Sequence, residues 1–263
     1  MFQLTPIVKN ILIINAVLLL LETIVNISLA PIFGVHSLYS DQFFIFQYVS
    51  YMWLHAGLWH LIGNMIVIFF FGPMLERIWG PKRFLTFYLI VGIGAGLIYG
   101  IADLIDKNGI KNDAIEFSAN PNPDDFYIYI QNYGEGYDIA ALTDIADTYF
   151  DNAEHPGRIN EAVMIVNKIY DNKLNNRMIG ASGAVFGVLL AFAILFPNTE
   201  IMLLFLPVPI KAKYLVFAYG SWEIYSEIFK KTGDNISHIT HLGGIIVAFI
   251  VLKVWQKQRG DFY

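Results

Sequence analysis

Ser182 stands among glycines and alanines in "MIGASGAVFG" (178–187). His238 and His241 stand in "SHITHLGG" (237–244), and "WLHAGLWHLIGNM" (53–65) holds His55, His60 and Asn64. These residue types carry a defined chemistry. A serine hydroxyl attacks an acyl carbon only when a base within hydrogen-bond reach takes its proton, and histidine is the commonest such base. The oxyanion that then develops needs donors, which an asparagine amide, an imidazole N–H and a backbone N–H can supply. Each cluster also has a plainer explanation. Gly183 and Gly187 form a G-x-x-x-G pair, and with Gly180, Ala181 and Ala184 they let two helices pack closely. His241, followed by Gly243 and Gly244, suits a histidine hydrogen-bonded at a helix contact. His60 and Asn64 are four apart on one helix face, as in interhelical polar pairs.

The elements that must position these residues are membrane-spanning. Apolar residues make up 56% of the 263, charged residues 15%, and mean hydropathy is +0.51, well beyond a soluble domain. There are no cysteines, which excludes disulfides, thiolate metal sites and a cysteine nucleophile. Apolar runs predict six spans at about 8–32, 57–74, 84–105, 180–197, 212–229 and 237–254. The first, "NILIINAVLLLLETIV", follows a single basic residue, Lys9, and "SLA" comes after it at 28–30. It reads as a retained span rather than a cleaved signal, because the apolar run is long and its basic end weak. "TEIMLLFLPVPIK" (199–211) contains two prolines and is expected at the interface.

Residues 106–177 differ from everything around them. They carry 13 Asp or Glu against 6 Lys or Arg, a balance of −7. After the turn-forming "SANPNPDD", the periodic Leu142, Ile145, Ala146 and Ala162, Ile165, Val166, Ile169 predict two amphipathic helices broken at "AEHPG". The chain therefore divides into 1–105 with spans one to three, an acidic extramembrane helical hairpin at 106–177, and 178–263 with spans four to six and a basic tail. Lys and Arg gather after span two (Arg77, Lys82, Arg83), at the start of span five (Lys211, Lys213) and in the tail (Lys253, Lys257, Arg259). The positive-inside rule makes that side, with both termini, cytoplasmic; Lys230 and Lys231 run weakly against it. Ser182, His241, His60 and Asn64 then fall at similar depth toward the opposite, extracytoplasmic side. That convergence favours a site over three separate packing motifs.

"HAGLWHLIGN", "GASGAVFG" and "HLGG", in this order on six spans, resemble the rhomboid family of intramembrane serine proteases. "GPMLERIWG" (Gly72, Glu76, Gly80) is similar to that family's G-x-x-x-E-x-x-x-G pattern. The resemblance covers the membrane portion and leaves out 106–177. It implies an all-α, polytopic six-helix bundle with a water-filled cavity open to the extracytoplasmic side, in a bacterial plasma membrane. It implies Ser182 as nucleophile and His241 as general base, acting as a dyad, since no acidic residue is obviously placed as a third member. Asn64 and His60 would form the oxyanion hole. His55 would shape the site, Phe186 would pack on the catalytic imidazole, and Gly180, Gly183 and Gly244 would permit close contacts. Substrates would be transmembrane proteins in the lipid bilayer, with no cofactor and no metal. One departure is Phe46-Gln47, where many relatives carry Trp-Arg.

A rhomboid-like pseudoprotease that binds membrane proteins without cutting them is the alternative. A metal-dependent enzyme or transporter is less favoured. There is no H-E-x-x-H motif, and His55 and His60 would be about 140° apart on a helix, although His238 and His241 share a face. The acidic insertion and the lack of a basic patch interleaved with aromatics argue against nucleic-acid binding.

Overall fold

A computed structural model describes residues 3–203, 206–229 and 237–259. Six long helices occupy the places of the six expected spans: α1 (Pro6–Val25), α4 (Leu58–Trp79), α5 (Pro81–Ala119), α9 (Ser182–Leu195), α10 (Ala212–Ile228) and α11 (His238–Arg259). Between α1 and α4 lie the short helices α2 (Ala30–Phe33) and α3 (Gln47–Ser50). The segment between α5 and α9 holds α6 (Pro123–Tyr133), α7 (Ile139–Asp151) and α8 (Pro156–Leu174). Helices α1, α4, α5 and α11 are long and apolar enough to cross a membrane by length and composition. Helix α9 is apolar but only 14 residues long, and α10 has 17.

Several boundaries differ from the sequence expectation. The first helix ends at Val25 rather than near 32, because Asn26 takes a left-handed conformation (φ 54°) that stops the helix. Helix α4 runs on to Trp79, tolerating Pro73 inside it, and Gly80 at φ +77° makes the turn into α5. The third helix does not end near 105. It continues unbroken to Ala119, so the insertion grows out of a membrane helix instead of following it. The prolines of "TEIMLLFLPVPIK" sit in a small antiparallel hairpin, β1 (Glu200–Leu203) paired with β2 (Leu206–Lys211).

Two apolar cores result. The first joins α1, α4, α5, α9 and α11 through residues such as Ile11, Ile68, Phe87, Val91, Val188 and Ala248. Glu76 of α4 ties α1 to this body: it accepts from Thr5 Oγ1 at 2.5 Å and from the N–H groups of Ile7 and Val8 at 3.0 Å. The two N–H groups are first-turn donors of α1, which no carbonyl of the same helix can reach. The second core lies in the insertion, where Phe117, Phe126, Tyr129, Ile130, Tyr149, Val166 and Ile169 pack together. Helices α7 and α8 cover the two periodic stretches of the sequence; α6 and the outer part of α5 complete that core.

The loop ahead of α4 is organised by Gln47, one of the two residues that depart from the family pattern. Its buried amide accepts from the N–H groups of His36 (3.3 Å) and Phe44 (3.2 Å) and donates to the carbonyls of Ile32 (3.1 Å) and Gln42 (2.8 Å). A neutral amide thus satisfies four backbone groups in that loop.

Candidate active site

Ser182 is the first residue of α9, half-buried, where the chain arrives through a constrained approach. Met178 exchanges two 2.9 Å backbone hydrogen bonds with Val35, and the N–H of Gly180 donates to the carbonyl of Tyr51 at 2.9 Å. Gly180 has φ +129°, a conformation that L side chains rarely adopt. A Cβ there would also lie 2.8 Å from both Cε1 and Nε2 of His60. The His60 ring therefore sits directly against the stretch that delivers Ser182. The first hydrogen bond of the helix runs from Val185 N–H to Ala181 O (3.0 Å), so the N–H of Ser182 has no partner within α9.

Helices α9 and α11 meet at glycines. A Cβ on Gly244 would lie 2.0 Å from the carbonyl oxygen of Gly183, and one on Gly183 would lie 3.1 Å from Thr240 Cγ2 and 2.6 Å from Ala95 Cβ of α5. This contact puts His241 of α11 over the face of α9 that carries Ser182 and Phe186. The rings of Phe186 and His241 stack with centroids 4.3 Å apart and planes inclined by 12°. Phe186 is one turn along from Ser182, so both project on the same side. The Ser182 hydroxyl itself makes no hydrogen bond among the described residues.

On α4, His60 accepts from the Ala56 N–H at Nδ1 (3.4 Å), which places its own proton on Nε2, the atom beside Gly180. Asn64, one turn further, is 6% exposed, and its Nδ2 donor has no partner among the described residues. His55 is 3% exposed with both ring nitrogens likewise unpartnered, and its ring lies 5.0 Å from that of His60. Buried donors without acceptors are costly and uncommon, and they concentrate at functional sites. The sequence-predicted residues thus fall into two groups, His60 with His55 against Gly180 and His241 with Phe186 on α9, and the Ser182 end of α9 lies between them.

Sequence reasoning missed one residue. Glu223 of α10 accepts from His241 Nδ1 at 2.8 Å and from His238 Nδ1 at 2.5 Å, both through Oε2, with its side chain 4% exposed. The signal was available, because an acidic residue in the middle of a predicted span is itself a functional flag. Glu223, His238 and His241 also offer three ligand atoms within 4.8 Å of one another, a set able to hold a metal ion. A tetrahedral zinc with ligands at about 2.0–2.1 Å would hold its donors about 3.3 Å apart. The 2.5 and 2.8 Å separations suit shared protons better.

The comparisons with known proteins agree with one another. The family model described as "Rhomboid domain" matches residues 42–107 and 162–257, together well over half of the chain, with 108–161 outside the match. RHOMBOID-like protein 12, mitochondrial, of Arabidopsis thaliana is 27% identical over 211 residues, covering 79% of this chain and 46% of that protein. RHOMBOID-like protein 2 of the same plant is 44% identical over 50 residues, covering 19% of this chain and 16% of that protein. Rhomboid protein 1, mitochondrial, of Saccharomyces cerevisiae is 34% identical over 85 residues, covering 31% and 24%. The chain thus spans less than half the length of these curated relatives. No solved structure matches it. With the family model, these relatives and a helical bundle of membrane-spanning length all in accord, the chain belongs to the rhomboid family.

Proposed function

We propose that this chain is an intramembrane serine endopeptidase acting through Ser182 and His241. The observation that carries it is the stack of His241 on Phe186, one helical turn from Ser182. In the reaction, Ser182 Oγ bonds to the scissile carbonyl carbon while its proton passes to His241 Nε2. The carbonyl electron pair moves onto oxygen. Asn64 Nδ2, His60 Nε2–H and the Ser182 amide are the donors for that oxyanion, and the buried Asn64 Nδ2, which has no partner among the described residues, supports this role. The tetrahedral centre collapses as His241 returns the proton to the leaving amine, and water then cleaves the acyl-enzyme by the same steps.

The length of α9 supports cleavage within the membrane. Fourteen residues rise about 21 Å, short of the roughly 30 Å hydrocarbon core, so a nucleophile at one end of α9 is recessed below the bilayer surface. Transmembrane proteins are the corresponding substrates. The basic loops support cytoplasmic termini with the site opening to the other side, and a bacterial plasma membrane is the proposed location. Residues 106–177 form the extramembrane unit between the two membrane parts, 1–105 and 178–263.

The test is cleavage of a model single-span substrate together with labelling by a fluorophosphonate, which bonds only to an activated serine. The native protein is expected to cleave and be labelled; Ser182→Ala and His241→Ala are each expected to lose cleavage while melting like the native protein. Retained cleavage in either variant overturns the dyad. Substrate binding with neither cleavage nor labelling would assign the chain to the non-cleaving members of the family.

A further inference from the structure

Helix α10 buries the residue that an apolar helix would be expected to expose. Its Tyr214, Phe217, Trp222, Tyr225 and Ile228 are all exposed, whereas Ala212 and Glu223 are its buried residues. Removing a carboxylate from water is costly unless its charge is met by partners. Helix α11 meets it twice, through the Nδ1 atoms of His238 and His241 on one oxygen. An ionised carboxylate only accepts hydrogen bonds, so His241 must donate from Nδ1. That fixes its tautomer: the proton is on Nδ1, and Nε2 keeps a free lone pair.

We propose that Glu223 is a positioning residue for His241, extending the Ser182–His241 pair to a Ser–His–Glu array. The proposal rests on the protease assignment above. Two constraints hold the imidazole. Phe186 lies flat against its face and fixes its tilt; the carboxylate holds its Nδ1 edge and fixes its rotation about the side-chain bonds. His238 in turn pins the carboxylate from the next turn of α11. When the Ser182 proton reaches Nε2, the ring carries protons on both nitrogens and a positive charge. Glu223 Oε2, at 2.8 Å from Nδ1, offsets that charge. No proton moves to Glu223; its contribution is the orientation of the base and stabilisation of the imidazolium.

The experiment compares the full chain in detergent micelles with Glu223→Ala and Glu223→Gln. It measures the second-order rate of fluorophosphonate labelling, kcat and KM on a single-span substrate, and the thermal midpoint. Glu223→Ala is expected to lower labelling and kcat about 100-fold with little change in KM, the size typical of general-base assistance. Glu223→Gln keeps an acceptor for Nδ1–H without the charge and is expected to recover part of that loss. Both are expected to melt within a few degrees of the native protein. A folded Glu223→Ala that is labelled at the native rate, or that changes only KM, overturns the proposal. Should that variant not fold, a native labelling rate in Glu223→Gln overturns it equally. Native labelling that falls on addition of EDTA would reassign the Glu223–His238–His241 trio to a metal and also overturn it. Absence of labelling in the native protein refutes the protease assignment itself, a result distinct from all of these.

Discussion

Asn64 and His60 are neighbours on one face of α4, yet their surroundings differ. The His60 ring has its Nδ1 occupied by a backbone N–H, while the Asn64 amide nitrogen is buried with no partner among the described residues. A donor held in that state strengthens its interaction with a developing negative charge, because nothing must be broken to make it. Asn64→Ala is therefore expected to lower kcat about 100-fold with KM nearly unchanged, as steady-state kinetics on a single-span substrate would measure. Asn64→Asp is expected to do no better, since an ionised carboxylate only accepts hydrogen bonds. A raised KM with kcat unchanged would instead mean that Asn64 holds substrate equally in the ground and transition states. The candidates Ser182, His241, His60 and Asn64 stand out in the sequence because polar groups are conspicuous against an apolar background. Glu223 was visible as an acidic residue inside a predicted span, but its partners were not: nothing in "YGSWEIYSEI" indicates that His238 and His241 lie opposite.

The packing of α9 against α11 depends on the absence of two side chains. Gly183 and Gly244 touch backbone to backbone, and the methyl group of an alanine at 244 would lie 2.0 Å from a carbonyl that cannot rotate away. Gly244→Ala must therefore separate the helices. The expected cost is about 1–3 kcal/mol, as for overpacking elsewhere, seen as a lower thermal midpoint. The expected loss of labelling is larger than that stability change implies, because the same separation withdraws His241 from Ser182. A variant that melts lower but is labelled normally would show the two effects to be independent. This contact was readable from the G-x-x-x-G spacing, as were the approximate places of all six long helices. The ends of the helices were less legible. Asn26 stops α1 through its own backbone conformation, and α5 passes 105 because its outer turns gain a second core to pack against. Both are facts of tertiary context, which hydropathy does not register.

The molecule has two bodies with separate cores, and they meet around the loop that precedes α4. Tyr39 of that loop donates to Asn108 Oδ1 at 3.2 Å, Lys111 lies 4.1 Å above the Tyr39 ring, and Gln42 donates to Asn175 Oδ1 at 3.1 Å. These contacts are polar and partly exposed, so each contributes little. The insertion's own helices supply its stability. Replacing 106–177 with a short linker is expected to leave fluorophosphonate labelling of Ser182 largely intact while changing which of the host's single-span proteins are cut. Co-expression with the intact and shortened chains would measure this, and an unchanged set cut at unchanged rates would make the insertion irrelevant to selection. The family model's gap at 108–161 fits a part that is separable from the common machinery. Helix α5 nevertheless joins the two bodies in one piece. Its 39 residues, with no proline after Pro81, extend about 58 Å, nearly twice the hydrocarbon thickness. Within its membrane part, Val91 and Ala95 abut Gly187 and Gly183 of α9. One continuous helix is therefore shared by the acidic body and by the contacts that seat α9, so any tilt of the one is carried to the other with no loop in between to absorb it.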